Sequence, residues 1–330
     1  MGAVPLDAHR LHTVTATPRI VSLLPSATEI VCALGLERHL VGRSHECDFP
    51  PEVAALPVCT RAHIEDTSSR EIDNQVKQRL HQGLSLYDVD TDRLRSLSPD
   101  WILTQDQCKV CAVPLSEVET AVSESLEHET SLLSLSPRTL GDVWNDITRV
   151  GEALDHKNVA TRVTTELANR VAEIAEQTSG QAQRPKVVCL EWLDPLMAAG
   201  NWVPELVTLA GGEPLFGEIG EHSPWLEWDS LRDANPDLLV LTACGFDRAR
   251  TRAELAPLLA LPGWEDLTAV REGRVYIADG NAYFNRSGPR LVESLEILAE
   301  LLHPEHFPPR HEGSGFESLP SAARPGLQSD

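Results

Sequence analysis

Apolar residues follow two alternating rhythms along this chain. Residues 18–25 read PRIVSLLP, a continuous apolar run of strand length closed by Pro25. Residues 26–34 then change to helical spacing, and Gly35 stands where such a helix ends. The alternation repeats as a strand over 40–45, a polar and proline-rich loop over 46–57, and a helix over 69–82. In that helix Ile72, Val76 and Leu80 recur at i, i+4 and i+8. A short helix over 92–97, a strand over 101–104, a helix over 117–126 and a strand over 130–135 follow. Strands and helices taking turns in this way predict a parallel sheet covered on both faces.

From Pro137 the rhythm changes. Residues 139–176 contain no Pro and place Leu140, Val143, Ile147, Val150 and Leu154 at helical spacing, with only Gly151 as a weak interruption. At about 1.5 Å per residue, one helix of this length runs past two lobes. After a polar stretch at 179–184 the alternation restarts: strand 186–192, helix 204–210, strand 238–243, helix 248–260, strand 274–278 and helix 289–302. Residues 305–330, rich in Pro, Ser, Gly and charge, are expected to have no fixed structure. The expected layout is a flexible N-terminus at 1–18, a lobe at 19–137, a linking helix at 138–178, a second lobe at 185–304 and a tail. The fold class is α/β, with two doubly wound lobes.

Composition narrows the function. The chain has 330 residues, enough for about two domains. Its 28 Lys and Arg against 50 Asp and Glu leave a formal net charge of −22, which repels nucleic acid and anionic membranes. No apolar run reaches the roughly 20 residues that span a bilayer, so a soluble protein is expected. Residues 1–18 carry Asp7, His9, Arg10 and His12 and no apolar core of a secretory signal, which gives a cytoplasmic expectation. The seven cysteines are odd in number, and Cys32 and Cys189 sit inside apolar runs, so reduced thiols fit better than a disulfide framework.

Four loops at strand ends carry the candidate chemistry, since ligands in open α/β sheets sit beyond the carboxyl ends of strands. His45, Glu46, Cys47 and Asp48 follow the second strand; His45 and Cys47 are metal-donor types, while the plain alternative is a polar loop. Gln105 and Asp106 follow the third strand as hydrogen-bonding candidates, and lead into Cys108-Lys109-Val110-Cys111. One C-x-x-C is half of a zinc site or a redox pair, and equally two small residues packing a helix. In the second lobe Glu191, Trp192, Asp194, Asn201 and Trp202 combine flat stacking area with polar direction, unless both tryptophans fill the core. Phe246 and Asp247 end a later strand, and Asn281, Tyr283 and Arg286 lie on the loop before the last helix, with Arg286 suited to a carboxylate or phosphate. Phosphate-loop, G-x-S-x-G and H-E-x-x-H patterns are absent, and no acid–base pair stands out.

The lobes share a junction. Leu97-Ser98-Pro99-Asp100-Trp101-Ile102-Leu103 and Ala234-Asn235-Pro236-Asp237-Leu238-Leu239-Val240 each end a short helix at Pro-Asp and begin an apolar strand. Together with RIVSLLPSATEIVCALGL at 19–36, Leu209-Ala210-Gly211-Gly212-Glu213 and Val270-Arg271-Glu272-Gly273-Arg274-Val275-Tyr276, they make the chain from Arg19 to His303 resemble a known family. It is similar to the helical-backbone (class III) substrate-binding proteins of ABC importers, which bind cobalamin, haem and ferric siderophores, and most of all to the cobalamin-binding-protein-like subgroup. The resemblance implies a monomeric binding protein, not an enzyme and needing no cofactor of its own. It would hold cobalamin, another corrinoid or another metal chelate between its lobes. It also implies a periplasmic location as the alternative to the cytoplasm, and an ABC permease that docks on one acid of each lobe, at positions matching Asp92 and Glu213. The favoured reading is that those two acids are solvated helix-end charges: Asp92 is shorter than the Glu usual at that place, and a cytoplasmic protein would form no stable permease complex. The competing reading is a cytoplasmic metal-binding protein or enzyme on the same fold, with His45, Cys108 and Cys111 as its reactive groups.

Overall fold

The computed structural model describes residues 18–107, 113–125, 129–180 and 183–320. In the first lobe β1 (Ile20–Ser22) runs into α1 (Pro25–Ala33), whose first turn begins at Pro25. There follow β2 (Leu40–Arg43), β3 (Thr60–Ala62), α2 (Ser69–His81), β4 (Tyr87–Val89), α3 (Thr91–Leu97), β5 (Trp101–Gln105), α4 (Leu115–Ser125) and β6 (Ser131–Leu135). Four of these strands form a parallel sheet in the order β2-β1-β5-β6, and β3 and β4 pair separately as an antiparallel ribbon. Ile20 and Val21 are fully buried, as a central parallel strand covered on both faces requires.

The stretch expected as one helix is two: α5 (Leu140–Ala153) and α6 (Lys157–Thr178). The cause is tertiary. Asp155 takes a left-handed φ of 58°, and Gly151 lets the start of α6 fold down onto the end of α5. A Cβ at Gly151 would lie 2.4 Å from the Ala160 Cβ, and the His156 N–H donates to the Gly151 carbonyl at 2.6 Å. At its other end α5 starts with a reciprocal cap between Thr139 and Asp142.

The second lobe comprises β7 (Lys186–Leu193), β8 (Leu196–Ala198), α7 (Val203–Leu209), β9 (Glu213–Pro214), α8 (Trp228–Ala234), β10 (Leu238–Leu241), α9 (Arg248–Ala253), α10 (Ala256–Leu259), α11 (Thr268–Arg271), β11 (Val275–Ala278), α12 (Leu291–Leu302) and β12 (Phe316–Ser318). Its sheet runs β12-β11-β10-β7-β8, with β9 also paired to β7. The expected helix over 248–260 is divided between α9 and α10. The expectation of an unstructured tail is corrected over its first part. β12 pairs antiparallel with β11, Phe316 is buried, and His311 bonds Glu296 of α12 at 2.9 Å.

One buried cluster joins the lobes. It includes Leu24 and Ile30 of the first lobe, Ile147 and Ile174 of the paired helices, and Leu206 and Leu298 of the second. A shared core of this kind resists large hinge motion. Among the described residues, no helix is long and apolar enough to cross a membrane.

Candidate functional site

The parallel strands of both sheets aim their carboxyl ends at the same gap, so the loops that follow them meet across it. The Asn281 amide donates to Asp48 Oδ2 at 2.9 Å, and Arg286 reaches Asp48 Oδ1 at 2.6 Å. Farther along, Gln107 Nε2 donates to Asn201 Oδ1 at 3.2 Å. On the other flank the Trp192 indole N–H donates to the Ser69 carbonyl at 3.2 Å. The structure therefore brings Asp48, Asn281 and Arg286 into one contact, Asn201 into a second and Trp192 into a third.

His45 stands beside this seam. Its backbone N–H and its Nδ1 lie 3.0 and 2.8 Å from the Thr60 hydroxyl, and its ring leans against Tyr87 at 5.8 Å. Burial, with help from Arg43, pushes its pKa down, so the ring is neutral at physiological pH. Glu46 keeps 41% of its side chain accessible while protein surrounds it. That enclosure pushes its carboxyl up to about 7, against the pull of Arg286. Burial alone would raise Asp48 too, but the hydrogen bond and charge of Arg286 outweigh it and hold the carboxyl below its ordinary range. On the second lobe Trp192 packs at 5.2 Å against Phe246, whose other neighbour is the Arg250 guanidinium at 4.9 Å.

Several expected contacts turn out to be structural. Trp202 is buried, and its indole N–H donates to the Phe284 carbonyl at 2.6 Å, so it fills the core. Cys47 is buried and accepts from the Thr28 hydroxyl at 3.0 Å; burial raises its pKa, which makes it a poor metal ligand. Arg286 was expected to hold a ligand's carboxylate, but its guanidinium is committed to Glu29, Asp48 and Asn281. Glu191 accepts from Ser223 at 2.8 Å, Asp194 pairs with Arg70, and Asp247 caps α9. Gln105 braces its own loop through the Gln107 N–H, and Asp106 is exposed. Tyr283 turns toward Arg290 and His311. Asp92 is exposed and pairs with Arg95, and Glu213 is exposed at the start of β9. Cys108 and Cys111 lie outside the described residues. Among the described residues, no three His, Cys, Asp or Glu side chains are grouped to hold a metal.

Sequence reasoning missed Glu29, Arg290, Ser69 and Glu254. Glu29 is the one with a visible signal: a single carboxylate inside an otherwise apolar helix, SATEIVCAL, calls for a cationic partner. It finds two, Arg286 and Arg290.

Comparison with known proteins fits this geometry. The family model described as periplasmic binding protein matches residues 20–282. An ABC transporter substrate-binding lipoprotein of Bacillus subtilis, YvrC, is 24% identical over 88% of this chain and 81% of its own length. A vitamin B12-binding protein of Pectobacterium atrosepticum is 22% identical over 86% of this chain and 88% of its own. The solved periplasmic heme-binding protein RhuT of Roseiflexus superposes with a TM-score of 0.65 at 22% identity, over 87% of this chain and 98% of its own.

These relatives correct the expectation of a cytoplasmic protein: the ones named by place are a lipoprotein and a periplasmic protein. With that location corrected, it no longer speaks against a permease partner. Two lobes meet at loops on strand ends, and the family match covers most of the chain. The protein is thus a two-lobed ligand-binding protein rather than an enzyme, and it belongs to the periplasmic binding protein family.

Proposed function

We propose that this protein captures a cobalt corrinoid of the cobalamin type between its lobes, outside the cytoplasm, and delivers it to an ABC permease. One observation carries the reading. Two aromatic pairs, His45–Tyr87 on the first lobe and Trp192–Phe246 on the second, flank the Asp48–Asn281 contact. Tyr87 and Phe246 are buried and back the half-buried rings of His45 and Trp192. Those two rings offer flat area to a large planar ligand, and the amides of Gln107, Asn201 and Asn281 offer direction.

Charge favours a corrinoid over a haem. Arg70, Arg250, Arg286 and Arg290 at the lobe contact are each paired with a carboxylate. They offer no spare guanidinium to the propionates of a haem, whereas the amide-rich rim of a corrinoid needs none. His45 supplies a donor for the chelated metal. In the tautomer whose Nδ1–H donates to Thr60, the neutral ring keeps a lone pair on Nε2. The vitamin B12-binding relative supports the same ligand class. Asp92 and Glu213, both exposed, are the acids proposed to meet the permease.

Mass spectrometry of the small molecule that copurifies with the natively produced protein tests the reading. A corrinoid mass is expected. A haem or a ferric siderophore in its place would contradict it.

A further inference from the structure

The ribbon β3–β4 stands apart from the four-stranded sheet, and the chain it carries at its tip crosses to the other lobe. This excursion, residues 63–84, is braced within itself. Ser68 caps α2, Gln75 accepts from the Glu65 N–H at 2.9 Å, and the Gln75 amide reaches the Thr67 hydroxyl at 3.3 Å. Ile64 and Val76 pack on the first lobe. The front end of α2 belongs to the second lobe. The Ser69 N–H and hydroxyl both donate to Glu254 Oε2, at 2.8 and 3.0 Å, while the Ser69 carbonyl accepts from Trp192. Arg70 pairs with Asp194, Asp66 with Arg250 at 3.2 Å, and the Lys77 ammonium sits 4.7 Å above the Trp225 ring.

These cross-lobe contacts share one character. Ile72 gives α2 an apolar contact with the second lobe's core, and the contacts named above are polar or cation–π. Arg70 and Lys77 are 62% and 57% exposed, so their pairs are screened by water. A gap of about 360 Å³ remains under the helix, lined by Arg70, Lys77, Trp225, Trp228, Pro257 and Leu261. The Ser69–Glu254 contact is buried, but an interface that is largely polar, screened at Arg70 and Lys77 and incompletely filled opens more readily than the shared core behind it. It also meets the site directly, because Trp192 holds Ser69 with its indole N–H and Phe246 with its ring face.

We propose that residues 63–84, built around α2, form a latch over the interlobe site, and that release of α2 from Glu254 and Trp192 admits and frees the ligand. The latch lets a protein whose lobes share a rigid core expose its site without a hinge motion of whole lobes. The proposal rests on reading the cleft as the ligand site, but its first test does not need a ligand.

Hydrogen exchange on the intact chain provides that test. Amides of 66–80 are expected to exchange at least about tenfold faster than those of α12. Glu254→Gln and, separately, the surface change Arg70→Ala should speed them further while leaving α12 unchanged. Cyanocobalamin as probe should slow exchange over the same residues, and its association and dissociation should both quicken in Glu254→Gln. Protection of α2 equal to that of α12, unmoved by either variant, would overturn the latch. So would association and dissociation rates identical in wild type and Glu254→Gln. Fast, variant-sensitive exchange in a protein that ignores cyanocobalamin would support the latch and remove the corrinoid.

Discussion

Glu29 Oε1 and Arg286 Nη1 stand 3.1 Å apart across the two lobes, with 2% and 7% of their side chains exposed. Arg290 completes the carboxylate from the other side at 2.6 and 2.9 Å, and Arg286 also donates to Asp48 and Asn281. A buried charge pair this fully hydrogen-bonded fixes how the lobes meet more than it adds net stability, because both ions lose their water. Its value lies in the cost of breaking it. On the proposed function, a ligand would meet the groups around this pair rather than Arg286 itself.

Arg286→Ala leaves Glu29 and Asp48 facing a lost partner, and is expected to lower stability by about 3 kcal/mol. Urea denaturation followed by far-UV circular dichroism measures it. A loss below about 1 kcal/mol would mean that Arg290 alone satisfies the site.

Trp192, near the end of β7, and Trp202, just before α7, should separate cleanly. Trp202→Ala removes a core side chain and is expected to cost about 3–5 kcal/mol of stability. Trp192→Ala should leave the folded state nearly as stable and weaken ligand binding instead. Thermal unfolding of both variants beside a binding titration distinguishes them, and equal stability losses would return Trp192 to the core.

Glu46 gives the site a pH signature. Its carboxyl is held up near 7 in the fold against an ordinary value of 4.5. Its contribution to stability is therefore fully present below about 4.5 and lost as pH rises through 7. An uncharged ligand that covers Glu46 disfavours the carboxylate further, so binding takes up a proton and weakens as pH passes 7. Calorimetric titration with cyanocobalamin in buffers of different ionisation heat detects that proton. Glu46→Gln should abolish it, and proton release on binding would contradict the assignment.

The segment after α12 should behave as part of the fold. The Glu296 carboxylate, against some opposition from burial, raises the His311 pKa. The pair thus stabilises fully below the ordinary value of 6.5, and this is lost as pH rises through the raised value. His311→Ala should therefore destabilise more at pH 6 than at pH 9 in chemical denaturation. A difference independent of pH would leave His311 with a packing role only.

The two sheets were legible because their central strands are apolar runs buried on both faces: Ile20 and Val21 in one lobe, Val188 and Leu190 in the other. The break between α5 and α6 was not. Every residue from 140 to 178 tolerates a helix, and what turns the chain is the close packing of Ala160 on Gly151. Residues 305–319 misled for the opposite reason. Their composition suggests disorder, yet Phe316 and the His311–Glu296 contact are enough to seat them. At the site, residue type located the loops that meet but could not tell a surface from an interior. Trp192 and Trp202 are equally plausible binders in sequence, and only their partners separate them. Glu29 and Arg286 lie 257 positions apart, a pairing that no local pattern encodes.

Calorimetric titration of cyanocobalamin into the wild-type chain and into Trp192→Ala, with tryptophan fluorescence followed in parallel, tests the central claim most directly. One molecule should bind per chain and quench the wild-type fluorescence, with an affinity roughly two- to tenfold weaker in the variant, as expected for one lost stacking partner. Absence of binding by the folded wild-type protein, or equal affinity in the two proteins, would contradict it.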